Sequence, residues 1–260
     1  MMLPASSIPT LSLVYTAVSV GIAILVPIAL LIICQIRYGH VLKAAAVGAL
    51  CFFLGAMVLE SLLHSVVFSL FPALAFVPVA YVSYGCLAAG LFEETARLVG
   101  LKLLCRKNAS FSTGLGYGIG HGGFESAIMV GLSLAANLYV MVLLNNGVDL
   151  SALGLTDAQM SALSTAAPAS FLWSGAERFV SIVLHIALSI LIWMVVTKRL
   201  SGGFYWVAVF LHALTNVSAA LYQCGVWTNI ALTELWALAI TLLTVFFVYF
   251  LWKKSSVLNN

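Results

Sequence analysis

The chain has 260 residues, of which 63% are hydrophobic and only 7% are charged, and its mean hydropathy is +1.14. Soluble domains use about 45–50% apolar and about 25% charged residues, so this composition excludes an ordinary soluble protein. It predicts an all-α polytopic membrane protein. The net charge of +3 is small and gives no reason to expect a nucleic-acid partner.

Seven apolar segments are each long enough to cross the hydrocarbon core of a bilayer as a helix. No long linker, low-complexity tract or solenoid-type repeat separates them, so we expect a single integral membrane domain over residues 1–260. The approximate cores of the seven predicted spans are 11–36, 42–70, 78–104, 113–145, 170–197, 203–224 and 229–252.

Basic residues fall on one side of these spans. The connections after the first, third and fifth spans and the C-terminal tail contain nine Lys and Arg residues, whereas the N-terminus and the other connections contain none. Cytoplasmic loops are enriched in Lys and Arg. We therefore expect a multi-pass protein of the cell membrane with its N-terminus outside and its C-terminus in the cytoplasm.

The longest predicted connection, residues 146–169, lies on the outer side in this topology. It carries Asp149 and Asp157 and ends at Pro168. We expect a short interfacial helix or a flexible lid in this connection.

Ionisable side chains inside the predicted spans are few. A charged group at the centre of a span costs about 2.5–3.5 kcal/mol or more, so such groups are candidates for function. In chain order they are Glu60, His64, Glu93, Glu94, Arg97, His121, Glu125, Glu177, Arg178, His185 and His212.

Four of these groups, from four spans, are predicted to lie at one depth. A helix rises about 1.5 Å per residue, which places Glu94 about 12 Å from the cytoplasmic end of its span, His121 and His212 about 15 Å, and His185 about 18 Å. Glu125 and Asn216 follow one turn further, each on the face of the His four residues before it. Scattered structural groups have no reason to share a depth, so we expect a converging site.

A second group lies nearer the outer surface and contains Glu60, His64, Glu177 and Arg178. Arg178 and His185 are seven residues apart and share a helix face, so this group either supports the first layer or acts as a charge-paired structural lock. Glu234, at the start of the last span, is expected to be solvated.

Structural roles also account for parts of the main layer. Glu93 and Arg97 are spaced i, i+4, so an intrahelical salt bridge would neutralise both. Glu94 would then have no charge partner. A lone intramembrane His is commonly a neutral interhelical hydrogen-bonding group, but three at one depth with a carboxylate favour a site.

Residues 112–126 (STGLGYGIGHGGFES) are rich in glycine but do not form a phosphate loop, because the Lys-Ser/Thr and strand-turn-helix context are missing. Gly116–Gly120 and Gly118–Gly122 are small-xxx-small pairs, which allow helices to approach closely in a membrane. We expect them to bring His121 against neighbouring helices.

Three motifs at this depth resemble those of the CPBP clan of intramembrane proteases, which includes abortive-infection, CAAX-processing and bacteriocin-processing members. Residues 93–97 (EETAR) resemble the EExxR or EExxK motif, residues 117–121 (YGIGH) the aromatic-xxx-His motif, and residues 212–216 (HALTN) the HxxxN motif. Glu125 and residues 177–185 (ERFVSIVLH) are most similar to the YhfC-type branch of membrane peptidases, and resemble the membrane protease that cuts anti-sigma factors.

The sequence also departs from these relatives. CAAX-type members usually have EExxxR, with the Arg one residue further on, so prenylated substrates are not implied. Two histidines 27 residues apart, on the fifth and sixth spans, together with the predicted topology, also resemble the anterior-pharynx-defective subunit of gamma-secretase. That distant relative is a scaffold, which makes a non-catalytic scaffold or chaperone subunit the competing hypothesis.

The resemblance implies that Glu93 holds the attacking water, although the depth count does not choose between Glu93 and Glu94. His121 would share this water, as a buried carboxylate and a histidine can act together in general acid–base catalysis. His212 and Asn216, one turn apart, would donate to the oxyanion.

Around this core, Arg97 would hold the Glu pair by charge and His185 would orient the water or the substrate. His121, His185 and His212 with one Glu would also suit zinc. Because the HExxH motif of zinc proteases is absent, we favour a metal-free glutamate mechanism over zinc.

The favoured hypothesis is therefore an intramembrane endopeptidase that acts on a membrane or lipidated protein or peptide. A transporter or receptor ranks below the scaffold. A retinal protein would need a Lys within 229–252, which has none, and the Pro and Gly positions do not form the paired interruptions of transporter repeats.

Overall fold

A computed structural model describes residues 7–107, 109–148, 150 and 154–257. In these residues the chain is helical throughout its regular elements. The α-helices are α1 (Thr10–Tyr38), α2 (Val41–Phe52), α3 (Ser61–Leu70), α4 (Pro78–Cys105), α5 (Phe111–Glu125), α6 (Leu132–Asn145), α7 (Asp157–Thr165), α8 (Pro168–Val196), α9 (Phe204–Gln223) and α10 (Ile230–Val257).

Two of the predicted spans contain a π-helical segment that the hydropathy pattern did not predict. Phe53–Glu60 joins α2 to α3, and Ser126–Gly131 joins α5 to α6. A short 3₁₀ helix, Pro72–Phe76, precedes α4. Each π segment borders a carboxylate of the candidate site, since the first ends at Glu60 and the second follows Glu125.

The predicted spans and the observed helices agree within a few residues. Six of the described helices are long and apolar enough to cross a membrane: Thr10–Tyr38, Val41–Leu70, Phe111–Asn145, Pro168–Val196, Phe204–Gln223 and Ile230–Ser255. The protein is thus a multi-pass membrane protein. The remaining predicted span is α4, which has 28 residues but is less apolar because it contains the two Glu residues, Arg97 and Lys102.

Helix α8 is the central element. In its most apolar stretch 56% of the residues are buried, against 17–33% in the five other apolar spans. It packs against α1, α4, α5, α9 and α10. Its C-terminal half supplies most of the largest core cluster, in which Leu188, Leu191, Ile192 and Met194 are fully buried.

The glycines of α5 lie on two helix–helix contacts, as the sequence predicted. A Cβ added at Gly116 or Gly120 would lie 2.7 Å and 2.0 Å from the backbone oxygens of Val41 and Ala45 in α2. On the other face, a Cβ at Gly118 would lie 2.6 Å from the Cα of Ile186 in α8. Only glycine permits both approaches, and they place α5 between α2 and α8.

The predicted outer connection contains one short helix, α7, which begins with a capping box formed by Thr156 and Gln159. The expectation of a helix here is confirmed. Asp149 and the side chain of Asp157 lie outside the described residues.

We expect Gly120→Ala to destabilise the protein by about 1–3 kcal/mol, because the added methyl group must separate two packed backbones. The matched control is Gly21→Ala in α1, where the nearest atom, Leu25 Cδ1, would lie 4.0 Å away. Alanine there is expected to be neutral or to stabilise by up to about 1 kcal/mol. Thermal unfolding in detergent measures both, and equal melting temperatures would contradict the close α2–α5 contact.

Candidate active site

The predicted layer forms in the structure. Glu93 and Glu94 come from α4, and α5, α8 and α9 each contribute one histidine. The ring centroids of His121 and His185 are 4.8 Å apart, and those of His185 and His212 are 5.3 Å apart. All five side chains are buried. The depth count thus placed groups from four helices in one site.

Glu93 contacts histidines of two other helices. Its Oε2 lies 2.9 Å from His121 Nε2, a hydrogen bond. Its Oε1 lies 3.6 Å from His212 Nε2, too far for one. Glu93 also lines a cavity of about 640 Å³, so this carboxylate is reachable by a ligand in that cavity.

Glu94 is the carboxylate that pairs with Arg97, so the sequence assigned these partners wrongly. Arg97 Nε lies 2.9 Å from Glu94 Oε2 at a spacing of i, i+3, and both side chains are fully buried. The predicted Glu93–Arg97 bridge is absent from the described contacts. The second oxygen of Glu94 lies 2.8 Å from His212 Nδ1. Glu94 therefore has a hydrogen bond on one oxygen and an ionic contact, without hydrogen-bond geometry, on the other.

Arg97 pairs with Glu94 and not with Glu93 because of its contacts with α8. Arg97 Nη1 donates to the backbone oxygen of His185 at 2.8 Å and to the hydroxyl of Ser189. Arg97 Nη2 lies 2.9 Å from His185 Nδ1. The guanidinium group extends across to α8 to make these bonds, and this position leaves its Nε beside Glu94.

The bond from Arg97 also fixes the tautomer of His185. A guanidinium group can only donate, so His185 Nδ1 accepts and Nε2 carries the proton. His185 Nε2 lies 2.6 Å from Glu125 Oε2, which can accept that proton. Both ring nitrogens of His185 are therefore engaged.

The outer group of ionisable residues divides into two pairs. Arg178 donates to Glu125 Oε1 at 2.9 Å and also to Glu177. Through Glu125 this pair supports His185, as the first of the two sequence hypotheses stated.

Glu60 and His64 do not join that pair in the described contacts. Glu60 Oε1 lies 3.2 Å from His64 Nε2, and His64 Nδ1 lies 2.8 Å from the hydroxyl of Tyr84. The predicted second group thus consists of two pairs that do not bond each other in the described contacts. The two pairs line the same cavity from different helices.

Asn216 and Glu234, two further residues discussed from the sequence, lie at the cavity wall. Asn216, one turn beyond His212, lines the cavity as the predicted oxyanion donor requires. Glu234, expected to be solvated, is half-buried and lines the cavity as well.

Aromatic residues enclose the His121 ring. Phe52 meets it edge-on at a centroid distance of 5.1 Å, and Tyr117 stacks on it at 6.0 Å. Tyr117 belongs to the YGIGH motif. Phe52 and Ser189 had no spacing signal in the sequence, because their roles depend on contacts between helices.

The donor atoms needed for a metal ion are present. One ligand atom from each of Glu93, His121 and His185 lies within 4.8 Å of the other two. His121 Nδ1 is buried without a hydrogen-bond partner, so no second bond fixes the tautomer of this ring. His212 Nε2 adds a further donor beside Glu93.

Two comparisons with known proteins identify relatives. The family described as YhfC intramembrane metalloprotease matches residues 22–237. The membrane protein YhfC of Bacillus subtilis (strain 168) is 32% identical over 246 residues, which cover 91% of this chain and 95% of that protein. No solved structure matches the chain.

The matched region includes every residue of the converging site, from Glu93 to Asn216. The family match spans well over half of the chain, and the Bacillus relative covers nearly all of it. The chain therefore belongs to the YhfC intramembrane metalloprotease family.

Proposed function

We propose that the protein is an intramembrane endopeptidase that hydrolyses a peptide bond of a membrane-associated or lipidated protein. The observation that carries this proposal is the position of Glu93. It faces the cavity while one oxygen bonds His121 and the other lies beside His212. A carboxylate placed between two histidines at the wall of a cavity is suited to activate water.

The proposal includes a topology of seven spans, with the N-terminus outside and the C-terminus in the cytoplasm of the cell membrane. Helix α4, third in chain order, completes the seven spans together with the six apolar helices. Its Glu93, Glu94 and Arg97 side chains are buried against other helices. Apolar side chains cover its outer surface, among them Leu87 and Leu103, which are more than half exposed. Polar groups on the inner face are compatible with a membrane span.

A divalent metal such as zinc fits this site. Glu93, His121 and His212 would hold it, which gives the two-His, one-Glu donor set of several zinc peptidases. Glu94 at His212 Nδ1 supports this choice, because metal-binding histidines commonly donate their other ring proton to a carboxylate. When bound, the metal supplies polarisation of the scissile carbonyl and an acidified water.

His185 is the alternative ligand, since its donor atom belongs to the close triplet with Glu93 and His121. Its two ring nitrogens, however, already contact Arg97 and Glu125. Binding a metal would require loss of one of these contacts. His212 Nε2 has no such bond, which favours His212. The metal-free mechanism favoured by the sequence finds no support in the family description.

The residues of the chain divide the chemistry between them. One oxygen of Glu93 accepts the proton of the attacking water and later returns it to the leaving amine. Asn216 donates to the oxyanion that forms on the carbonyl. Arg178, Glu125 and Arg97 keep His185 in one orientation beside the reacting groups.

A scaffold role explains only part of the site. The Glu94–Arg97 pair and its bonds to α8 would suit a structural lock. A lock has no need for Glu93 and His212 to line a cavity. We therefore place the scaffold second.

Glu93→Gln should abolish cleavage of a membrane peptide in liposomes, with a loss of roughly 10²–10⁴-fold, and lower the melting temperature less than Arg97→Gln does. Arg97→Gln should lower the free energy of unfolding by about 3–5 kcal/mol, because it leaves the carboxylate of Glu94 buried without its charge partner. His40→Asn is the control, since His40 lies at the start of α2 with a positive φ that Asn tolerates.

The two variants separate the functions. A catalytic site predicts loss of activity in a stable Glu93→Gln protein. If this variant unfolds as readily as Arg97→Gln, or if it retains full cleavage, the catalytic assignment of Glu93 is wrong. A scaffold predicts that Glu93→Gln unfolds as readily as Arg97→Gln, and that the original protein does not cleave the peptide.

Metal analysis tests the donor set independently of activity. We expect the purified protein to bind one zinc ion per chain, and the chelated protein to take it up again. His212→Ala should lose this zinc, whereas His185→Gln should retain it, because His185 is engaged by Arg97 and Glu125. Zinc content by atomic emission gives the result. Retention in His212→Ala with loss in His185→Gln would assign the ligand to α8 instead.

A further inference from the structure

Glu60 is a buried carboxylate that takes no part in the hydrolysis proposed above. Only 8% of the residue is exposed, and it lines the same cavity as Glu93. Its ion-pair partner in the described contacts is His64, with no Lys or Arg beside it. A charged group inside a membrane span is costly, so a carboxylate there without a basic partner is a candidate for function.

A chain of two hydrogen bonds holds one oxygen of this carboxylate. Glu60 Oε1 lies 3.2 Å from His64 Nε2, and His64 Nδ1 lies 2.8 Å from the hydroxyl of Tyr84. An ionised carboxylate only accepts, so His64 Nε2 carries the proton, and in the neutral ring Nδ1 accepts from Tyr84. Glu60 Oε2 has no partner in the described contacts. The chain therefore orients the carboxylate and leaves Oε2 available to a ligand in the cavity.

The π-helical segment Phe53–Glu60 sets the direction of this side chain. Near its start Gly55 packs against α4, where an added Cβ would lie 2.8 Å from Ala96 Cβ and 3.4 Å from the backbone oxygen of Phe92. In an α-helix, residues five apart point about 140° away from each other. A π-helix turns less per residue, because its bonds run from i to i+5. Glu60 therefore stays on the side of α4, one π turn from the contact with Phe92.

Glu60 is also close to the groups that would carry out hydrolysis. It interacts electrostatically with Glu93 and with His212. Among the described residues that line the cavity, five carboxylates face one guanidinium group: Glu60, Glu93, Glu125, Glu177 and Glu234, against Arg178. Arg178 is already bonded to Glu125 and Glu177. A ligand that meets Glu60 Oε2 is therefore expected to be a cation.

Peptide hydrolysis creates a cation of this kind. The bond between the carbonyl carbon and the amide nitrogen breaks, and the carbon gains the oxygen of water. The nitrogen receives both hydrogens of that water, one through Glu93 and one from the new carboxylic acid. A neutral amide thus becomes a carboxylate and a primary ammonium group. Inside a membrane, each of these new charges needs a partner.

We propose that Glu60 is a binding site for a primary ammonium group, and that it receives the new α-amine of the fragment on the C-terminal side of the cleaved bond. The proposal rests on the proposed peptidase function. Glu60 Oε2 accepts from the ammonium group, since hydrogen bonds between ionised partners are the stronger ones. His64 and Tyr84 hold Oε1 meanwhile. A Lys side chain of a substrate carries the same group, and the experiment separates these two sources.

Calorimetric titration of the full chain in detergent tests the site without requiring turnover. The three probes are an apolar tripeptide amide with its α-amine, the same peptide acetylated at that amine, and an acetylated version that contains one Lys. The proteins are the original chain, both zinc-loaded and chelated, Glu60→Gln, and Glu234→Gln as the matched control. Glu234 lines the same cavity and has no ion-pair or hydrogen-bond partner in the described contacts.

We expect the peptide with its α-amine to bind the original protein about 10-fold or more tightly than the acetylated peptide. This difference should disappear in Glu60→Gln and remain in Glu234→Gln. Thermal unfolding checks that both variants are folded. The comparison of the two peptides on the original protein depends on no variant, so equal binding there would overturn the proposal even if Glu60→Gln did not fold.

Three further results would also contradict the site. Equal loss in Glu60→Gln and Glu234→Gln would indicate a general negative potential. A difference that survives in Glu60→Gln but disappears on chelation would assign the amine to the metal. Tighter binding of the Lys peptide alone would assign the ammonium group to a substrate side chain instead of the product.

Cleavage of a membrane peptide by the original protein is measured separately. A difference between the α-amine and acetylated peptides without cleavage would keep the ammonium site and contradict the peptidase. Cleavage without that difference would keep the peptidase and contradict the ammonium site.

Discussion

The buried ion pair between Arg97 and Glu94 is the interaction on which the arrangement of the site depends. Two charges removed from water are costly unless their remaining hydrogen-bonding capacity is also satisfied. Here the partners come from two other helices, with α8 bonding Arg97 and α9 bonding Glu94. Helices α4, α8 and α9 must therefore meet at this depth, and His185 and His212 are brought together as a result.

A second constraint is the close packing of α5, which has glycine on both contacting faces. It brings His121 and Glu125 to the same site from between α2 and α8. The two constraints differ in physical kind. Charge satisfaction fixes which groups must meet, whereas small side chains fix how near the backbones approach.

The sequence predicted the helices and the convergence of the histidines well because both depend on fixed helical dimensions. A constant rise per residue relates position in a span to depth, which is why His121, His185 and His212 were placed together. The direction in which a side chain points around the helix axis was predicted less well. Arg97 had two carboxylates within reach. Its bonds to Ser189 and His185 determine that it pairs with Glu94, and no local spacing in the sequence indicates those bonds. The π segments and the separation of Glu60 from Arg178 likewise depend on packing between helices.

The adjacent carboxylates of α4 serve different purposes because successive residues point about 100° apart around a helix. Glu94 points into the protein, where it contacts Arg97 Nε and bonds His212 Nδ1. Glu93 points to the cavity and lacks an arginine partner in the described contacts. An arginine bound to Glu93 would compete with water or a metal for its oxygens. Because Arg97 pairs with Glu94 instead, it stabilises the site and leaves the carboxylate of Glu93 available for chemistry.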